Sequence, residues 1–180
     1  MTYIDLGNNL PGIRGLVTYR PDAGEHLYAL AQMLLSTDST LSRAERELIA
    51  AYVSSLNECK FCTQSHAAAS RFAYKEKRSI VDDVLRQGRS DHLDSKMNLL
   101  LEIAGKVQQS GRLVSENLIH ATRATGATDL EIHDTVLIAA VFCMFNRYVD
   151  GLQTFTPTES EIYAQMGEHM VTNKYQFPKK

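Results

Sequence analysis

Four residues of this 180-residue chain combine types and spacing that could do chemistry: Glu47, Cys59, Cys62 and His66. Cys59 and Cys62 lie three positions apart and His66 four beyond Cys62, so on a helix the three side chains share one face. A thiol reacts as its thiolate, and an unperturbed thiol near pKa ~8.5 is only slightly ionised at neutral pH. Cys62 at a helix N-terminus, with an imidazole one turn on, has two aids to ionisation. Once a peroxide has oxidised Cys62 to a sulfenic acid, Cys59 is spaced to condense with it to a disulfide. Glu47, arriving from a separate helix, could hold His66 in the useful tautomer or take the proton itself. Two other readings of these residues stay open. Cys59, Cys62 and His66 could ligate zinc with a fourth ligand from Glu47 or elsewhere, or the cysteines could be ordinary buried side chains.

The remaining candidates lack such company. Cys143 falls in the most apolar stretch and reads as a core thiol. His26, His92, His120, His133 and His169 have no partner at catalytic spacing and read as surface or hydrogen-bonded residues. Arg147 pairs with an acid such as Asp150 or offsets a helix C-terminal dipole. Tyr52 reads as packing. A formal charge of −2 gives no electrostatic footprint for nucleic acid or anionic lipid. The apolar run Val136–Phe145 is about half the ~20 residues a membrane-spanning helix needs. Residues 1–9 show no basic segment followed by an apolar run, so a cytoplasmic protein is expected, where a CxxC pair is more often catalytic, redox-sensing or metal-binding than a structural staple.

The elements that must position these residues are helical throughout. With 44% hydrophobic and 22% charged residues the chain can bury a core as a single domain. Residues 1–21 read as an irregular arm, with Pro21 as a stop, followed by a single domain over 22–170 and a tail, 171–180, that should fray. Asp22 and Glu25 open a helix to about 36, and Ser42 with Glu45 caps another over about 43–57 that leaves Glu47 at the border of its apolar stripe. Asn57 is the natural left-handed terminator, and a third helix starts at or near Cys59 and reaches about Tyr74. The run Ala67–Ala69 on it would let another helix pack closely. Further helices are expected over 80–87, from about Leu93 to Gly111, from Ser115 to Gly126, over 130–150 after the Thr128/Glu131 box, and from Thr156-Pro157-Thr158-Glu159 to about Met170. No stretch alternates with period two, so the expected architecture is an all-helical bundle. A thioredoxin fold, which places a strand before its CxxC, is excluded.

The pattern of Glu47, Cys59-x-x-Cys62 and His66 resembles the alkylhydroperoxidase D group of the carboxymuconolactone decarboxylase-like superfamily. Leu41-Ser-Arg-Ala-Glu-Arg-Glu-Leu-Ile-Ala before the site and Asn146-Arg-Tyr-Val-Asp-Gly-Leu after it resemble its peroxidase-related branch. The resemblance is close over 41–70 and loose over about 25–170. It implies an AhpD-like helical fold with the CxxC at the N-terminus of a helix, homo-oligomers that are commonly trimers or hexamers, and no cofactor. It also implies reduction of a hydroperoxide substrate through a reversible disulfide, recycled by an external dithiol reductant. On this resemblance Cys62 is the peroxidatic thiol, Cys59 the resolving one, and Glu47 and His66 the proton relay. Well-known members place a histidine where this chain has Phe61, so the relay to Cys59 is incomplete or runs through water. Lactone decarboxylation, found elsewhere in the superfamily, does not depend on a cysteine pair.

Overall fold

A computed structural model describes residues 2–177, which are helical apart from their connections. The helices are α1 (Ile13–Tyr19), α2 (Pro21–Ser36), α3 (Arg43–Leu56), α4 (Lys60–Tyr74), α5 (Ser79–Gln87), α6 (Ser95–Gln109), α7 (Glu116–Ala124), α8 (Asp129–Gly151) and α9 (Ser160–Asn173), with 3₁₀ turns at Lys75–Lys77 and Gly111–Leu113. Two capping boxes form as the sequence predicts. Ser42 and Glu45 satisfy each other's backbone amides at the start of α3, and Thr128 and Glu131 do so at the start of α8.

At the centre is a hairpin of α3 and α4 joined by Asn57–Cys59, against which α9 packs from the α4 side and α8 from the α3 side, with α6 bridging α3 and α8. Leu48, Ile49 and Val53 of α3, Leu100 and Ile103 of α6, and Ile138 and Phe142 of α8 interlock in the main core. Helix α8 has the length and composition to cross a membrane, but it carries much of this core. The alanine run of α4 receives α9. A Cβ on Gly167 would stand 2.5 Å from the backbone carbon of Ala68, so only glycine permits this approach.

Several boundaries differ from the sequence reading. Within the supposedly irregular arm, residues 13–19 form α1, whose Leu16 and Val17 are buried. Pro21 does not stop a helix; it occupies the first position of α2, where its missing N–H costs nothing, and no side-chain cap from Asp22 forms. Asn57 keeps right-handed backbone angles and Glu58 takes the positive φ of 60° instead, while the Asn57 side chain donates to Asn146 Oδ1 at 2.8 Å. Helix α9 starts at Ser160, three residues after Pro157, and runs to Asn173 rather than Met170. The tail, as far as it is described, is pinned. Tyr175 N–H donates to Gln32 Oε1 at 2.9 Å, and Phe177 meets Tyr28 edge-on at 5.6 Å.

Candidate functional site

The hairpin explains the spacing of the four residues. In two antiparallel helices joined by a short turn, positions equidistant from the turn come level. Cys59 N–H bonds Ser54 O at 3.0 Å next to the turn, Glu47 meets His66 further along, and Ser70 Oγ donates to Ala44 O at 2.9 Å beyond them. Cys59 is the N-cap of α4 and Cys62 lies in its first turn. His66 is one turn on and opposite Glu47.

Glu47 is fully buried and serves as the hub. Its Oε2 accepts from His66 Nδ1 at 2.7 Å and its Oε1 from Arg43 Nε at 2.8 Å. The Tyr175 hydroxyl lies 2.9 and 3.0 Å from the two carboxylate oxygens. Burial by itself pushes the Glu47 carboxyl upward, but the bond to His66, the charges of His66 and Arg43 and the phenol outweigh it and hold the group below its ordinary value. An ionised Glu47 accepts only, so Nδ1 of His66 carries a proton and Nε2 is the nitrogen left to accept another. Phe142 fixes the ring edge-on at 4.5 Å between centroids.

Cys59 and Cys62 are free thiols, and each is within hydrogen-bonding reach of the other. Contact with Cys59 and then burial push the Cys62 thiol well above its ordinary value, while a bond from Asn146 acts in the opposite direction. Asn146 is held in turn. Its Oδ1 accepts from Asn57 at 2.8 Å, its Nδ2 donates to Ser54 Oγ at 3.0 Å, and Gln108 fixes Asn57 at 2.9 Å. The Asn146 amide therefore presents its N–H side to the sulfur. Cys59 lies behind Cys62, fully buried, with the Asp150 carboxylate in hydrogen-bonding reach.

Cys62, Ser65 and His66 form part of the wall of a cavity of about 640 Å³, a size suited to an organic ligand. Phe61, Phe142, Phe145, Phe155 and Met166 make much of its lining apolar, and Arg14, Lys174 and the imidazoles of His66 and His169 also line it. Leu6 and Leu16 from the N-terminal arm and Tyr163 from α9 cluster with the two cysteines.

Residues 21–106 match the Carboxymuconolactone decarboxylase family, a span that includes all four residues. The alkylhydroperoxidase AhpD core of an uncharacterized peroxidase-related protein from Ralstonia eutropha JMP134 is similar at 26% identity and a TM-score of 0.77, over 88% of this chain and 81% of that one. A second uncharacterized peroxidase-related protein, from Silicibacter sp. TM1040, is 25% identical with a TM-score of 0.76, over 86% and 78% of the two chains. The chain is thus similar to the Carboxymuconolactone decarboxylase family over residues 21–106 and shares the AhpD-like fold of the two peroxidase-related proteins. A protein of unknown function from Agrobacterium tumefaciens, at 21% identity and a TM-score of 0.69 over 88% of this chain and all of that one, shares the fold. No curated protein matches the sequence.

Within this AhpD-like framework the structure brings the sequence-predicted residues together as two contacting pairs, Glu47 with His66 and Cys59 with Cys62. It corrects one expectation. Contact with Cys59 and then burial push the Cys62 thiol up, with Asn146 opposing, instead of easing it toward thiolate. Of the two readings of Arg147 the structure favours the helix-end one, with donation to Cys143 O of α8 at 2.8 Å, and Asp150 lies in hydrogen-bonding reach of Cys59. His169 is exposed and hydrogen-bonded to Asn173 at 2.9 Å, as the sequence reading has it, and it also lines the cavity. Cys143 is half-buried beside Asn57 at 3.5 Å, away from the pair. Among the described residues no group of three or more His, Cys, Asp or Glu is placed to hold a metal ion, so the zinc reading gains no support from the geometry. Arg43 and Tyr175 were not anticipated. Arg43 had a signal, since an arginine four residues before a glutamate on a helix faces it, whereas Tyr175 had none.

Proposed function

We propose that this protein is a cysteine-based peroxidase or disulfide oxidoreductase that reduces organic hydroperoxides through Cys62 and Cys59. The observation that carries the reading is the placement of Cys62 on the wall of an apolar cavity, with a second thiol in contact behind it and an oriented imidazole one turn along. A thiol pushed up in this way requires a base on demand, and His66 Nε2, backed by the ionised Glu47, is suited to take the proton as the peroxide enters. The sulfur then attacks the hydroperoxide. An S–O bond forms, the O–O bond breaks, and the departing alkoxide leaves as the alcohol with the proton held by His66. Cys59 attacks the resulting sulfenic acid, forming the S–S bond and releasing water. An external dithiol returns two electrons and two protons by exchange. Asp150 is placed to receive the Cys59 proton, a role that Phe61 between the cysteines cannot play.

The cycle needs a supply of reduced dithiol, and we place the protein in the cytoplasm on that ground. A homo-oligomer, trimeric or hexameric, is in keeping with exposed apolar side chains such as Tyr3, Leu130 and Phe155. The test is a thiol count before and after one equivalent of cumene hydroperoxide. Two thiols should disappear per chain and return with a dithiol reductant, and Cys62→Ser should abolish the loss. An undiminished count in the native protein would overturn the proposal.

A further inference from the structure

We propose that Tyr175, carried by the segment after α9, is a positioning residue for the Glu47–His66 pair and that residues 174–177 are a strap which completes the site. This inference rests on the peroxidase reading for its catalytic consequence, but not for its structural content. The phenol touches both oxygens of the buried carboxylate at 2.9 and 3.0 Å and lies 3.4 Å from His66 Nδ1. Its ring is nearly parallel to the imidazole, at 15° and 6.3 Å, and the Arg43 guanidinium sits 5.3 Å from its centroid.

The strap is anchored at several points. Tyr175 N–H donates to Gln32 Oε1 at 2.9 Å and Phe177 rests on Tyr28, while Arg43 Nη2 holds the α9 end just before the strap through Met170 O at 2.8 Å. Lys174, Tyr175 and Gln176 all line the cavity that Cys62 faces. Lys174 and Gln176 are exposed, whereas Tyr175 and Phe177 are half-buried, and their contacts offset the conformational entropy that ordering the segment costs. Here the ordered residue delivers a hydroxyl to a carboxylate that already receives N–H donors from Arg43 and His66. Burial first and the Glu47 charge second push the phenol far above its ordinary range, so it is a donor at any working pH. With the proton on Tyr175, the carboxylate keeps its negative charge for His66, and the imidazole cannot rotate to offer Nδ1 to the cavity.

The groups facing Glu47 can be named element by element. Arg43 and Arg46 come from α3, His66 from α4 and Tyr175 from the strap, while α8 contributes the uncharged Phe142 against the imidazole. Removing the phenolic donor leaves the carboxylate less favoured, so its titration must move upward.

The test is Tyr175→Phe, which keeps the ring and removes the hydroxyl. The Glu47 carboxyl, followed by carbon NMR across an acid titration, should move up by about one pH unit, the size expected for loss of a hydrogen bond to a charged group. The ascending limb of kcat/KM for cumene hydroperoxide should move in the same direction, with a fall of about tenfold in kcat/KM on that limb and an unchanged circular dichroism spectrum. Gln32→Ala, which loosens the strap without touching the phenol, should give a smaller shift of the same sign. Superimposable Glu47 titrations for the native protein and Tyr175→Phe would overturn the proposal. Because the titration needs no turnover, a protein that fails to consume peroxide yet shows the shift would remove the peroxidase reading and leave this one standing.

Discussion

Glu47 shows how a single residue sets the character of the site. A carboxylate sealed from water is tolerated only with compensating donors, and here the carboxylate has three. Glu47→Gln keeps the volume but removes the charge, and an amide can satisfy His66 and Arg43 only by presenting one face of each kind. The variant should lose about 100-fold or more in kcat for hydroperoxide, in the range for a disabled general base, and about 1–3 kcal/mol of stability in a urea titration. A variant with native turnover would show that His66 needs no orienting partner. The spacing of Glu47, Cys59, Cys62 and His66 was legible in the sequence because it follows helical geometry. The state of Cys62 was not. Helix position and imidazole both favour a thiolate, yet the Cys59 sulfur and burial dominate, and neither can be summed before the packing is known.

At the scale of elements, the α3–α4 hairpin does most of the positioning and the α4–α9 contact holds its outer side. Capping boxes and glycine stops marked most helix boundaries, since those signals are local. The errors fell where a local signal had two meanings. Pro21 both ends and begins helices, and Asn57 could serve either as a left-handed terminator or as a side-chain ligand for Asn146. Helix α9 offers a direct check on the close approach. Gly167→Ala inserts a methyl 2.6 Å from Ala69 N and 2.5 Å from the Ala68 carbonyl carbon, both backbone atoms that cannot move aside cheaply. The substitution should cost about 1–3 kcal/mol in thermal or urea unfolding despite the better helix propensity of alanine. A neutral or stabilising effect would mean that α9 is not seated on α4 as described.

At the scale of the molecule, both ends of the described chain return to the hairpin. The arm packs Leu6 against the cysteine cluster and bonds Tyr3 N–H to Leu152 O at 3.1 Å, while the strap brings Tyr175 to Glu47. Stability should therefore depend on pH through the hub. The folded value for Glu47 lies below the unfolded one near 4.5, so its contribution is complete above that pH and is lost as pH falls through the folded value. Urea midpoints should be flat from neutral pH to about 5 and then decline on acidification, with a shallower decline in Glu47→Gln. Equal slopes for the two proteins would remove Glu47 as a source of acid sensitivity. The sequence by itself determined the helical class, the family resemblance and the four-residue pattern, because periodicity, caps and spacing are properties of neighbours along the chain. Only the tertiary structure decided that the hub takes a third donor from the tail, that the Cys62 thiol is pushed up, that Asp150 lies in hydrogen-bonding reach of Cys59 and that a cavity opens beside the sulfur. Each of these depends on groups brought together from distant segments, which no local rule can place.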